Sequence, residues 1–312
     1  NIRHCFEIKL SGFDRDEAKK WLSNYHAIND DLDLAIWFSR INSLDNGLIN
    51  IVLSPLILYI CVERNIDIGS IHSLGQLYDL LFDPLYGQVA ITRHRDRTNH
   101  RNLEWLELRD LAKKISIVMY KKGWVSRKEI VEASGNEENL EKYFGLDFYV
   151  ENTSEQIKFA HTSIWQYFVA ERIYESLVKF EREHNLNNFL DELSEIFVLD
   201  KTLDDTIMAF LEYLFDKHGW KPESNEIYKS VLIRIANYRI KKEGDIFSWI
   251  SCFWRELFKI YTIICKVFFQ ESASTFFQEI SATKKKEILI RYLNSSQISP
   301  IINMKGYSLM KC

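Results

Sequence analysis

Residues 157–180 read IKFAHTSIWQYFVAERIYESLVKF, and this stretch decides the fold. It opens as a strand end, Ile157 to Ala160, and passes at His161 into a long helix. Apolar side chains at 164, 165, 167, 168, 169, 173, 174, 177 and 178 are too many for a single stripe, so the helix packs on more than one side. His161, Thr162 and Ser163 fall at its N-terminus, where free backbone N–H groups and the helix dipole favour an anion. A histidine at this point either caps the helix or donates to a phosphate. The residue types alone leave both open.

Working outward, residues 105–156 place a small domain in front of that helix. Leu108, Leu111, Ala112, Ile115, Val118 and Met119 form one helical face, and Gly123 closes it. Ser126 starts a short helix that runs through Ala133 and Ser134. Asn136 to Phe144 reads as a third. Two strands follow, Phe148 to Glu151 and Gln156 to Ala160, separated by Asn152-Thr153-Ser154-Glu155. Three helices and then a β-hairpin is the order of a winged helix.

Upstream, residues 5–10 read as one strand. Asp14 followed by Glu17 forms a capping box for a helix with Ala18, Trp21, Leu22 and Tyr25 on one face. A lone strand feeding a helix reads as the last piece of a larger α/β sheet, since one strand has no stability alone. The chain starts with Asn just before that strand, which suggests that its natural beginning lies upstream. Leu32 to Leu44 reads as a helix that Asn46-Gly47 breaks, and Leu48 to Leu53 as a short second one. Ser54-Pro55 restarts a helix with proline in its first turn. Leu56 to Val62 is apolar all round and therefore buried, and Leu74 to Ile91 reads as the next helix. Residues 93–104, RHRDRTNHRNLE, form a polar, basic linker that reads as a solvated inter-domain connection or, from its Arg and His side chains, as a phosphate or nucleic-acid patch.

Downstream, helices are expected at about 186–198, 204–217, 222–240, 245–272 and 283–293, an all-α array without a fixed repeat. The tail, 301–312, alternates small and apolar residues. The expected fold is mainly α: a helical lid, a winged-helix domain with a β-hairpin, then a helical array.

Composition agrees. Among 312 residues there are only 11 Gly and 4 Pro, which favours helices over a loop-rich or β-rich chain. A net charge of −4 gives no global reason for nucleic-acid or membrane binding. Cys5, Cys61, Cys252, Cys265 and Cys312 form no CxxC pair, so they read as reduced thiols of an intracellular, cytoplasmic protein. The most apolar long stretch, Ile246 to Phe269, carries Arg255, Glu256, Lys259 and Lys266, and is not a membrane span.

Motifs for catalysis are missing. The sequence has no Gly-Lys dipeptide and therefore no P-loop. It has no GxSxG, HExxH, EF-hand or GxGxxG pattern, so no catalytic residue and no metal ligand is assigned. Ile196 to Asp200, IFVLD, is apolar like a Walker B strand but reads as core. Asp30/Asp31 and Asp204/Asp205 read as helix caps, and Lys284 to Lys286 as the start of a solvated helix.

Five stretches together resemble one family. SGFDRDEAKKWLSNY resembles the segment that closes the nucleotide-binding core of NACHT-type NTPases. SPLILYICVER is similar to the Pro-Leu-Leu-Leu helix of their lid, and LYDLLFDPLYG to the lid's last helix. LRDLAKKISIVMYKKGW and FAHTSIWQYFVAERI are similar to their winged helix, whose pattern reads roughly Phe-x-His-x-Ser-Phe-x-Glu-Tyr-Phe-x-Ala. The likeness covers about residues 5–180, with Gln166 where the family has Glu.

NACHT proteins are STAND signal-transduction ATPases, among them animal innate-immune receptors and bacterial, NLR-like antiphage sensors. The resemblance implies these parts: 1–28, edge of the NTPase core; 29–92, lid; 93–104, linker; 105–182, winged helix; 183–300, helical connector; 301–312, start of a sensor repeat. It implies that Pro55 lies against the adenine of ADP or ATP and that His161, with Thr162 and Ser163, contacts the β-phosphate. The intact protein would bind and slowly hydrolyse ATP with Mg. This chain lacks Walker A and B, so the NTPase core and the sensor domain are implied partners. Self-association on activation is implied as well, with a phage or pathogen protein as the sensed ligand in antiviral defence. Two other readings stay open. One is a winged-helix DNA-binding regulator with a helical partner-binding half, although Asn136 to Phe144 and the 152–155 wing carry net negative charge, which suits phosphate contacts poorly. The other is a purely structural helical scaffold.

Overall fold

Short polar side chains set the helix starts. The computed structural model describes residues 12–29, 32–82, 102–135, 149–151, 156–159, 161–197, 201–218, 255–257 and 259–264. Helix α1 spans Arg15–His26. The Asp14 carboxylate accepts from the N–H groups of Asp16 and Glu17 at 2.9 and 2.7 Å, and Glu17 accepts from the Asp14 N–H at 3.0 Å. This is the expected capping box. Asp33 caps α2 (Leu34–Ser43) in the same way, accepting from Ala35 and Ile36. Pro55 stands in the first turn of α4 (Pro55–Glu63), where its missing N–H leaves no bond unmade. Ser73 accepts from the Gln76 N–H at 3.1 Å to start α5 (Leu74–Leu81).

Two starts and stops differ from the sequence reading. Asn46-Gly47 does not separate helices but opens α3 (Asn46–Val52). The break falls at Leu44–Asp45, because the Asp45 carboxylate accepts from the Gly47 N–H at 2.6 Å and caps the new helix. Glycine's poor propensity matters least in a first turn held by such a cap. The helix expected to reach Ile91 stops at Leu81, with Phe82 as its C-cap. Pro84 supplies the reason: it has no N–H for the carbonyl four residues back and disfavours helical backbone in the residue before it.

The chain divides into two compact units, residues 1–167 and 168–312. In the first, α1 packs on α2, and the start of α1 is tied down by backbone and side chain. The Phe13 N–H donates to the Leu53 carbonyl at 2.9 Å, and the Arg15 guanidinium to the Leu44 carbonyl at 3.1 Å. Ala18, Leu22, Trp37, Ile41, Ile57, Leu58, Leu77 and Leu81 are buried there. Each large one contributes about 1.5–3 kcal/mol by leaving water.

Helix α6 (Asn102–Lys122) ends at Gly123, whose φ of 84° suits glycine. It takes in Asn102 to Glu104 from the stretch read as a linker. Val125–Ser126 then forms a strand, β1, which the sequence reading missed. Ser126 also caps α7 (Arg127–Ser134) in a capping box with Glu129. The hairpin β2 (Tyr149–Glu151) and β3 (Gln156–Phe159) pairs antiparallel, with Tyr149 opposite Phe159. The sheet order is β1-β3-β2, since Val125 lies opposite Ile157. The described residues give a helix, a short strand, a helix and a hairpin whose second strand is central, which follows the expected order apart from the third helix, outside the described residues. The fold is thus mainly α with a β-hairpin.

Helix α8 spans Thr162–Glu183. In the second unit, α9 (Leu186–Ile196) and α10 (Asp205–His218) follow. Ile196 and Phe197, the start of the Walker-B-like run, are buried in the core as expected. The Asp204 carboxylate accepts from the Ile207 N–H at 2.9 Å, which is its expected capping role. Residues 255–257 and 259–264 are helical. Glu256 is fully buried beside Arg255, and its Oε2 accepts from the Leu203 N–H at 2.9 Å and from the Lys259 ammonium at 3.4 Å. Arg255 donates to the Lys201 carbonyl and Lys259 to the Leu203 carbonyl, both at 2.8 Å.

Several expected features lie outside the described residues: the 5–10 strand, Asp30/Asp31, the basic residues 93–101, the third helix at 136–144, the wing turn at 152–155, the helices at 222–240 and 283–293, Lys284 to Lys286 and the 301–312 tail. Among the described residues, no helix is long and apolar enough to cross a membrane.

Candidate functional site

The site is built from the first turn of α8 and the middle of α5. The Ile164 N–H donates to the His161 carbonyl at 3.1 Å, which makes His161 the N-cap of α8. Its ring folds back over the first turn. The Ser163 backbone N–H donates to His161 Nδ1 at 3.3 Å, so this nitrogen serves as the cap acceptor.

That bond decides the protonation of the ring. A backbone N–H can only donate, so Nδ1 carries no proton, and in the neutral ring the proton sits on Nε2. The environment favours the neutral ring as well: His161 is half-buried, and burial lowers its pKa below the usual histidine value. Among the described residues Nε2 has no hydrogen-bond partner. Of the two alternatives of the sequence, the structure shows the cap. One nitrogen caps the helix, and the other keeps an N–H for an acceptor.

A second bond reaches His161 Nδ1, from the Ser163 hydroxyl, and that hydroxyl also contacts the Tyr78 hydroxyl. Ser163 has one hydroxyl proton. With Nδ1 a pure acceptor, that proton goes to Nδ1, and Ser163 Oγ must accept from Tyr78. The order is Tyr78 O–H to Ser163 O–H to His161 Nδ1. Ser163 is buried and Tyr78 fully so. Burial drives the Tyr78 pKa far above its ordinary value, so the phenol keeps its proton and remains a donor.

Packing holds Tyr78 in place. Its ring lies 5.9 Å from Phe82 and 5.8 Å from Tyr167, and those two lie 5.7 Å apart. Such aromatic contacts add about 0.5–1.5 kcal/mol each beyond burial. Tyr167 donates to the Asp79 carboxylate at 3.4 Å, and Arg109 of α6 to the Phe82 carbonyl at 3.1 Å. Cys61 of α4 is near enough to act electrostatically on Tyr78. Burial pushes the Cys61 thiol up to about 12, against a smaller pull from Arg64, so it stays protonated and inert.

Of the residues singled out by sequence, His161 and Ser163 are joined by direct hydrogen bonds. Thr162 is exposed in the first turn beside them. Pro55 takes no part in the hydrogen-bond chain. It opens α4, six residues and about 9 Å along the axis from Cys61. The sequence reading missed Tyr78. The signal for it is a tyrosine on the buried face of α5, because a buried phenol needs a partner for its hydroxyl. Neither a family model nor a curated protein matches the chain.

Proposed function

We propose that this chain is the lid, winged-helix and connector part of a NACHT-type STAND ATPase, and that His161 donates to the β-phosphate of ADP in the resting state. The observation that supports this best is the Nε2–H of His161, set by the bond to Nδ1 and presented at a helix N-terminus. A neutral imidazole donor beside a positive helix end suits a phosphate oxygen without a buried cation.

On this reading the bound nucleotide supplies a polyanion that bridges domains. Its P-loop, its Mg and its hydrolysis belong to a core outside these residues. His161 adds one donor from the winged helix, and Pro55 gives the lid an apolar edge for the adenine. ADP then stabilises the closed arrangement because it binds that arrangement better. Exchange for ATP removes the His161 contact, and subunits associate. The setting is the cytoplasm, with a sensor domain that recognises a phage or pathogen protein.

The test is His161→Ala and His161→Asn in the protein that carries this chain together with its core. Asparagine still caps a helix but does not reach as far as Nε2. A hydrogen bond to a charged group is worth about 1.5–3 kcal/mol, so both variants should weaken ADP binding about tenfold to a hundredfold. Basal signalling should rise. ADP affinity equal to that of the parent in both variants would end the assignment.

A further inference from the structure

We propose that Tyr78 is a positioning residue for the His161 donor: its hydroxyl, given to Ser163 Oγ, turns the Ser163 proton onto His161 Nδ1 and so holds the ring proton on Nε2. The proposal rests on the phosphate reading for its purpose but not for its geometry. A serine hydroxyl rotates freely, and in a helix it can also turn toward a backbone carbonyl. What fixes it here is an incoming proton on its acceptor side. Tyr78 is fully buried, packed on Phe82 and Tyr167, and keeps that proton on Ser163. The Ser163 backbone N–H also donates to Nδ1, and the Ser163 hydroxyl, aimed by Tyr78, is the second donor that favours the same tautomer.

Tyr78 belongs to α5 and His161 opens α8. The balance between the two tautomers of the donor ring is therefore sensitive to α5 being docked where it is. Loss of that docking frees the Ser163 hydroxyl, and Nδ1 keeps only the backbone N–H donor, so the share of the ring with its proton on Nδ1 rises. A ring with its proton on Nδ1 presents a lone pair at Nε2 and repels a phosphate oxygen. The tyrosine in this way couples the lid helix to the polarity of the phosphate-facing atom.

The test is long-range ¹H–¹⁵N correlation of the histidine rings in the full chain, with His161 assigned by loss of its signals in His161→Asn. The unsubstituted chain should show Nε2–H as the major form at pH 7.5. Tyr78→Phe, which keeps the ring, should shift the Nε2–H to Nδ1–H ratio about fivefold, the weight of one ordinary hydrogen bond. Ser163→Ala should shift it as much or more, and the double variant should match Ser163→Ala alone, because both changes cut one path. An unchanged ratio in Tyr78→Phe, or shifts that simply add in the double variant, would overturn the proposal. A major Nδ1–H form in the unsubstituted chain would overturn it too, and this result needs no variant to fold. The ADP measurement on His161→Ala is separate: its failure removes the phosphate role and leaves the tautomer result standing.

Discussion

Two polar networks inside this chain use similar numbers of groups in opposite ways. Around Glu256 in the second unit the network is charged, buried and closed. One carboxylate oxygen takes Arg255, the other takes the Leu203 N–H and Lys259, and both cations also donate to carbonyls of the 201–203 segment. Around His161 in the first unit the network is neutral and directional. Tyr78 and Ser163 pass their protons one way, and the last ring nitrogen carries an N–H with no acceptor among the described residues. Groups that satisfy one another hold a fold together. A chain of donors that ends in a half-exposed N–H can take an acceptor from outside itself, water included.

The largest effect expected from this contrast is at Glu256. Removing one partner from a buried ion pair leaves the other charge poorly compensated, at a cost of about 3–5 kcal/mol. Glu256→Ala should lose that much stability in urea unfolding, because Arg255 and the Leu203 N–H both lose their acceptor. His161→Asn should lose about 1 kcal/mol or less in the same assay, since its cap can be replaced. If the two variants lose equal stability, the distinction between a closed staple and an open site fails.

An intermediate case is the half-buried closed cluster at the start of α7. Ser126 and Glu129 cap that helix reciprocally, and Lys122 pairs with Glu129 and lies 5.7 Å from the Trp124 ring centre. The Lys122 contact, against a smaller opposing effect of burial, holds the Glu129 carboxyl below its usual pKa. Ser126→Ala should cost about 1 kcal/mol, the common value for a lost N-cap. Lys122→Ala should cost less, and its effect should shrink in 0.5 M salt, as exposed pairs do. A cost at Ser126 as large as that at Glu256 would mean that burial does not separate these networks.

The closed networks differ in how far the sequence announces them. The caps at Asp14 and Ser126 were legible, because a short polar side chain three residues before Glu acts locally. The hairpin and α8 were legible from period and turn residues. β1 was not: Val125–Ser126 is two residues long, and only its partner β3, thirty residues on, makes it a strand. The end of α5 was misread because apolar spacing continues past Leu81 and hides the effect of Pro84. At the site, the position of His161 was legible but its capping bond was not, since that depends on which nitrogen faces the helix. Tyr78 and Ser163 are 85 residues apart, and no local rule connects them. The Glu256 staple joins residues 53 apart and was hidden inside an apolar stretch for the same reason.

The smallest expected effect is the acid response of the open network. Burial lowers the His161 pKa in the folded chain relative to the unfolded one, where it lies near 6.5. Between those two values the unfolded state binds more protons, so unfolding becomes easier as pH falls through about 6.5 toward the folded value. Above that window the contribution of His161 is constant. The comparison to make is unfolding free energy against pH for the chain and for His161→Asn, because every other group titrates in both. The parent should lose more stability than the variant between pH 7 and pH 5, and the difference curve should rise with pH and then level off. A difference of the opposite sign would mean that the folded chain favours the charged imidazolium. Nδ1 would then carry a proton, the Ser163 N–H could not donate to it, and the contrast between the two networks would lose its open end.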